Sequence, residues 1–144
     1  MSACGLATTR LDKSAVIKSF NTVFFDFISD LISVLPENPD VFAAQKTFLT
    51  IKQANPTAIM KFWFKYVQTP YGDNIERGEV SLFWEKDYSH DVRNLKHPDR
   101  VLEVIDTIRA PIKDMGSTNH AHVGSYLQKL CVLTRLYSEV GGQF

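Results

Sequence analysis

The chain has 144 residues, 16 Lys and Arg against 16 Asp and Glu, 44% hydrophobic residues and two cysteines. A chain of this length buries enough apolar surface to fold as one domain without disulfides or a structural metal. Zero net charge argues against a general binder of nucleic acid, because neutralising phosphates requires a surplus of Lys and Arg on one face. We therefore expect one domain that binds no nucleic acid.

The N-terminal segment has no basic region followed by an apolar one, so it predicts no secretion signal. We expect residues 1–11 to be a flexible tail and residues 12–144 to form the domain. The most apolar stretch, Val23–Leu35, has thirteen residues, fewer than the roughly 20 that span a bilayer, which predicts no membrane insertion. Cys4 and Cys131 have no partner at metal or redox spacing, which is typical of an intracellular protein.

The first predicted helix, about Asp12 to Leu35, is the most strongly patterned element. Its apolar residues are spaced 3-4-3-4-3, which only a helix places on one face: Ile17, Phe20, Phe24, Phe27, Leu31 and Val34. Further apolar residues flank this stripe on both sides, so the apolar surface is wider than on an ordinary surface helix. We expect this helix to be central, with its aromatic residues in the core.

An Asn-Pro pair marks the predicted start of each of the next two helices. Asn38-Pro39 and Asn55-Pro56 each offer Asn as the N-cap and Pro at the first helical position. The spacing predicts helices from Pro39 to Ala54 and from Pro56 to Gln68. The run Thr69 to Asp73 contains Pro and Gly and is predicted to end the third helix.

The second half predicts a turn or two around Tyr71 to Arg77, then a short helix over Glu79–Glu85, although Val80, Leu82 and Trp84 also alternate as a strand would. Helices follow at Asp99–Met115, kinked by Pro111, and at about Asn119 to Val140. Gly116 and Gly141 are expected to cap the ends of these two helices. The fold class is therefore all-α, a single-domain irregular helical bundle of about five to seven helices.

Three groups of polar residues resemble metal or acid/base sites. His120 and His122 point about 200° apart on a helix and cannot share a metal, so we expect frayed, exposed histidines. Asp87, His90 and Asp91 are expected to cap and bond a loop rather than hold a divalent cation. Asp26 and Asp30, one turn apart, are expected to lie on a solvated face.

Two further patterns have ordinary explanations. In the run Lys61 to Tyr66, basic residues alternate with aromatic residues, as they do in proteins that bind single-stranded nucleic acid. Helical spacing instead places the aromatic residues inside and both lysines outside. Cys131 lies among apolar residues of a helix, where a buried thiol is inert. With no phosphate loop or nucleophile motif, we predict no catalytic residues, no cofactor and no metal, and hence no enzyme.

A series of short motifs extends over most of the chain beyond Ile17: the run Phe24–Ile32, Leu35-Pro36-Glu37, Asn55-Pro56, Phe62-Trp63, Pro70-Tyr71, Ile75–Gly78, Phe83–Tyr88, Tyr126-Leu127 and Leu130. Together they resemble a family of small helical proteins encoded by large double-stranded DNA viruses of eukaryotes. The resemblance implies a non-enzymatic structural or assembly protein, such as a minor capsid or virion component. It also implies contacts with other viral proteins or with a second copy, in the virion or the host cytoplasm.

Two other functions compete with this one. A soluble intracellular adaptor or host-interaction protein of such a virus has the same composition. The helical apoptosis inhibitors of these viruses are of similar size, but their Asn-Trp-Gly-Arg-type motif and C-terminal membrane anchor are missing here. An enzyme ranks below both.

The last predicted helix carries the candidate interface. Lys129, Arg135 and Glu139 are its only charged residues in the 22 positions from Asn119 to Val140. Val132 and Leu136 form an i,i+4 apolar pair beside Ser125 and Lys129, away from the centre of the main apolar stripe. They could be packed inside the domain, or they could stay exposed and bind a partner. We treat Val132, Leu136, Ser125 and Lys129 as the candidate partner interface.

Overall fold

A computed structural model describes residues 12–85 and 100–144 of the chain, and the side chains of all of these except residues 100–106. Every regular element is helical, and the described ranges contain no strand, which confirms the all-α bundle. The predicted tail and the Asp87, His90 and Asp91 cluster lie outside the described residues. The elements are α1 (Lys13–Val34), α2 (Pro39–Ala54), α3 (Ala58–Trp63), a π-helical turn (Phe64–Gln68), α4 (Thr69–Glu76), α5 (Leu82–Glu85), α6 (Arg100–Lys113) and α7 (Ser117–Glu139).

Helix α1 is central, as its wide apolar surface predicts. Asp12 caps its first turn by accepting a hydrogen bond from the Ala15 backbone N–H at 2.8 Å. Its most extensive contact is with α7, and it also packs on α2 and α3. The aromatic residues of the stripe are buried as expected, and the core also contains residues of other helices, all at 2% exposure or less: Phe20, Phe24, Phe27, Leu31, Trp63, Leu127 and Leu130. Val34, the last residue of the stripe, is 45% exposed.

Aromatic rings from three helices form the middle of this core. The Phe24 ring meets the Phe48 ring of α2 edge to face at 4.8 Å, and the Phe20 ring meets the Trp63 indole of α3 at 6.3 Å. Such edge-to-face pairs add to the free energy gained by burying the rings. The first three helices are therefore joined through aromatic contacts.

The start of α2 confirms the sequence prediction, and the start of α3 does not. Asn38 Oδ1 accepts from the backbone N–H groups of Asp40 and Val41, with Pro39 at the first position. Asn55 instead ends α2, and its Oδ1 accepts hydrogen bonds from the Thr57 backbone and hydroxyl. Its side chain is bonded within this turn, so α3 begins only at Ala58.

The predicted end of the third helix at Thr69 to Asp73 is wrong. The chain stays helical from Ala58 to Glu76 through a π-helical turn that precedes Pro70. In this turn the Thr69 backbone N–H bonds to the Phe64 carbonyl, and the Thr69 hydroxyl donates to the same oxygen at 2.8 Å. The wider turn lets the helix continue through Pro70, which would otherwise break an ordinary α-helix.

The glycine predictions have opposite outcomes. Gly116 is extended, with a φ of −75°, and stands before the first residue of α7 rather than in a left-handed cap of α6. Gly141 does adopt the left-handed conformation, with a φ of +91°, just after α7. The chain then turns back, and the Phe144 ring stacks on Phe64 with centroids 3.9 Å apart. The short helix predicted over Glu79–Glu85 is limited to α5, and Pro111 lies inside α6.

Candidate functional site

The candidate site lies along the contact line between α1 and α7, which we call the seam. The two helices run antiparallel, because the beginning of α1 faces the second half of α7 and the end of α1 faces the beginning of α7. Residues at helical spacing line one edge of the seam on each helix: Ser19, Val23, Asp30 and Val34 on α1, and Asn119, His122, Tyr126, Lys129 and Leu133 on α7. Two cavities open along this edge.

The first cavity, which we call the Val132 cavity, has a volume of about 530 Å³. Its walls are mainly apolar, with Val23 from α1 and Val132 and Leu133 from α7. Ser125 and Lys129 are exposed at its margin. The structure therefore places three of the four residues of the predicted interface around one opening.

The fourth residue of the predicted interface lies elsewhere. Leu136 is half-buried, packs against the hydrophobic core and does not line the Val132 cavity. Val132 is also half-buried, but it belongs to the open edge of the seam. The i,i+4 spacing of the pair is real, yet the two side chains have different surroundings because α7 is packed over a wide part of its circumference.

The second cavity, which we call the Asp30 cavity, has a volume of about 200 Å³ and lies at the other end of the seam. Apolar side chains form most of its wall: Phe27, Leu31, Val34, Met115 and Val123. Asp30, Asn119, His122 and Tyr126 add polar groups. It is therefore an apolar opening with one carboxylate in its lining.

Tyr126 stands between the two cavities and joins the helices. Its hydroxyl donates a short hydrogen bond to Asp30 Oδ2, and its ring packs against Phe27 with centroids 5.5 Å apart. The Lys129 ammonium lies 5.7 Å from the centroid of the same ring. Asp30 and Tyr126 are 96 positions apart, so no spacing in the sequence indicates this contact.

The hydrogen bond to Asp30 raises the pKa of Tyr126 to about 12, because the carboxylate accepts the phenolic proton and disfavours a second negative charge. Desolvation and the charges of Asp30 and Asp26 act in the same direction. Both aspartates are exposed, in agreement with the predicted solvated face. Asp26 lies one turn before Asp30 and lines a different groove, between α1 and α2.

The two histidines of α7 are not equivalent, and the expectation that both are frayed is wrong for His120. The His120 ring stacks on Trp84 with centroids 4.3 Å apart, and its Nε2 lies 2.7 Å from the Ile112 carbonyl oxygen. His120 thus joins α5, α6 and α7. His122 is exposed at the Asp30 cavity.

Cys131 is fully buried in the core. Burial raises the pKa of its thiol to about 12, and the neighbouring Trp63 indole offsets only part of this effect. Trp63 and Tyr66 are buried and Lys61 and Lys65 are exposed, as the helical spacing predicts, while Phe62 is half-buried. Cys131 and Trp63 therefore both belong to the core.

Within residues 12–85 and 100–144, no three His, Cys, Asp or Glu side chains come together in a way that could hold a metal ion. None of the helices in the described part of the chain has the length and hydropathy needed to cross a bilayer.

Comparison with known proteins gives no relative. The sequence matches no protein-family model and no curated protein, and the fold matches no solved structure. The resemblance to helical proteins of large DNA viruses therefore stays a prediction from the motifs.

Proposed function

We propose that the chain is a non-enzymatic structural or assembly protein of a large eukaryotic double-stranded DNA virus, a minor virion component that binds another virion protein. The observation that supports it is the Val132 cavity, an opening of about 530 Å³ with mainly apolar walls between the two longest helices. Apolar openings rimmed by polar groups are typical of protein interaction sites.

The composition of this cavity suits a protein partner. Val23, Val132 and Leu133 offer aliphatic surface, and Ser125, Gln128 and Lys129 surround it with polar groups. Protein interfaces have the same arrangement, with an apolar centre that is desolvated on binding and a polar rim that stays in contact with solvent. A side chain from a partner segment lying along the seam would fill the cavity.

The test is incorporation into particles of a virus that expresses the protein. We expect the wild-type protein to co-purify with particles and Val132→Asp to be depleted about tenfold, because a buried, unpaired carboxylate opposes docking. The matched control is Ser138→Asp, an exposed position on the same helix that lies outside the cavity. Equal incorporation of the wild type and Val132→Asp would contradict the proposal.

The adaptor function predicts a different result from the same preparation. A host-interaction protein would use the cavity in infected cells and would be missing from purified particles. Quantitative proteomics of particles therefore separates the two functions before any variant is made.

A further inference from the structure

The Asp30 cavity has a composition that selects one kind of side chain. Its wall is aliphatic and aromatic, with Leu31, Val34 and Phe27, and its polar lining includes the Asp30 carboxylate and the Tyr126 ring. Val34 is 45% exposed, one of the most exposed large apolar residues among those that the structure describes. An apolar wall with a carboxylate and an aromatic ring matches a long aliphatic stem that ends in a cation.

We propose that the Asp30 cavity binds an arginine side chain of the protein partner. This inference rests on the proposed function, since the arginine belongs to the segment that lies along the seam. Its three methylene groups pack against Val34 and Leu31, and its guanidinium meets Asp30 and replaces the Lys129 ammonium at the Tyr126 ring. Arginine fits better than lysine because its flat fork pairs with a carboxylate and also stacks on an aromatic ring.

The local charges favour a cation. Asp30 accepts the Tyr126 hydroxyl through Oδ2, while Oδ1 has no hydrogen bond or ion pair with the residues that the structure describes. Asp26, one turn away, lines the other groove, so Asp30 is the carboxylate that faces this cavity. The Lys129 ammonium carries the opposite charge and lies 5.7 Å from the centroid of the Tyr126 ring.

The Tyr126 ring already attracts one cation of this chain, the Lys129 ammonium. A lysine already lies against the Tyr126 ring within the distance at which cations are attracted to aromatic rings. Lys129 lines the Val132 cavity and the ring lines the Asp30 cavity, so the Lys129–Tyr126 contact joins the linings of the two cavities. An apolar residue and an arginine of that segment would then occupy adjacent cavities of one seam.

The experiment uses N-acetyl-arginine amide as the probe and the full chain labelled with ¹⁵N. We expect saturable shifts of the amide signals of Asp30, Tyr126 and their neighbours, with a dissociation constant in the millimolar range. N-acetyl-citrulline amide has nearly the same shape without the charge. It should bind about tenfold more weakly, because a cation near a carboxylate and a ring gains about 1.4 kcal/mol.

Two variants locate the binding. Asp30→Asn should weaken the arginine probe about tenfold, and its amide oxygen can still accept from Tyr126. The matched control is Asp26→Asn, a carboxylate one turn away that lines the other groove and should change the affinity less than about twofold. Unchanged thermal melting of both variants confirms that the fold is intact.

Three results would overturn the inference: shifts that do not saturate, equal affinity for the citrulline probe, or unchanged affinity of Asp30→Asn. Each of these concerns the isolated cavity and needs no partner. Failure of the proposed function is recognised separately, by normal incorporation of Val132→Asp into particles. The two failures therefore cannot be confused.

Discussion

Helix α1 has two sides that differ in how completely they are covered. Its aromatic side, with Phe20 and Phe24, is buried and packs against α2 and α3. Its seam side lines two open cavities together with α7. The same helix thus supplies the centre of the core and one wall of the candidate site, which places that site on a rigid support.

The difference follows from side-chain size and polarity. On the aromatic side, the large rings of Phe24 and Phe20 reach across to Phe48 and Trp63 and fill the space between the helices at these positions. On the seam side, the small Ser19 and the charged Asp30 cannot fill the space between two helices. Closed packing contributes to the stability of the fold, and the open edge is available for binding.

The aromatic side should give the largest effect on stability. Phe24→Ala removes a fully buried ring and is expected to lower the free energy of unfolding by about 3–5 kcal/mol, a large part of the usual total. The control is Phe25→Ala at the next position, where the ring is half-buried and the loss should be much smaller. Chemical denaturation measures both, and equal losses would contradict the greater burial of Phe24.

Cys131 reports on the same closed core. Its thiol is fully buried and its pKa is raised to about 12, so little thiolate exists near neutral pH. In a Cys4→Ser background, iodoacetamide should modify Cys131 only as fast as the core opens, and Phe24→Ala should increase that rate. Mass spectrometry follows the reaction. Modification as fast as in the denatured chain would show that this part of the core is open.

Tyr126, at the open edge of the seam, should contribute less to stability, and its pKa reports on that contribution. Its phenolate absorbance, isolated by subtracting the spectrum of Tyr126→Phe, should titrate with a pKa of about 12. Asp30→Asn should lower this pKa toward the ordinary tyrosine value near 10. Because the folded pKa is the higher one, the contribution to stability is intact below about pH 10 and is lost as the pH rises toward about 12. An unchanged pKa in Asp30→Asn would exclude the Asp30 carboxylate as its cause.

The parts of the fold that could be predicted are those in which local signals and packing agree. The spacing of aromatic residues predicts α1 and its core because one face of one helix accounts for all of them. Asn38-Pro39 predicts the start of α2 because cap and proline act within one turn. In these elements, no contact with a residue far away in the sequence opposes the local preference for a helix.

The sequence predictions are wrong where contacts between residues far apart in the chain determine the local structure. Pro70 is a helix-ending signal, but Gly72 and Ile75 are buried, and their packing favours a helix that continues through a π-helical turn. His120 lacks any sequence signal for its contacts with Trp84 and Ile112. The seam is similar, since the residues of α1 and α7 that meet there are about a hundred positions apart.

The central claim is that the seam edge of α7 is free to bind because the fold does not need it closed. The most direct measurement compares the free energies of unfolding of Val132→Asp and Val123→Asp, two valines of α7. Val123 is 4% exposed and lies in the core, so its change to Asp should cost several kcal/mol or prevent folding. We predict that Val132→Asp stays within about 1 kcal/mol of the wild type. A loss as large as that of Val123→Asp would make Val132 a core residue and contradict the account.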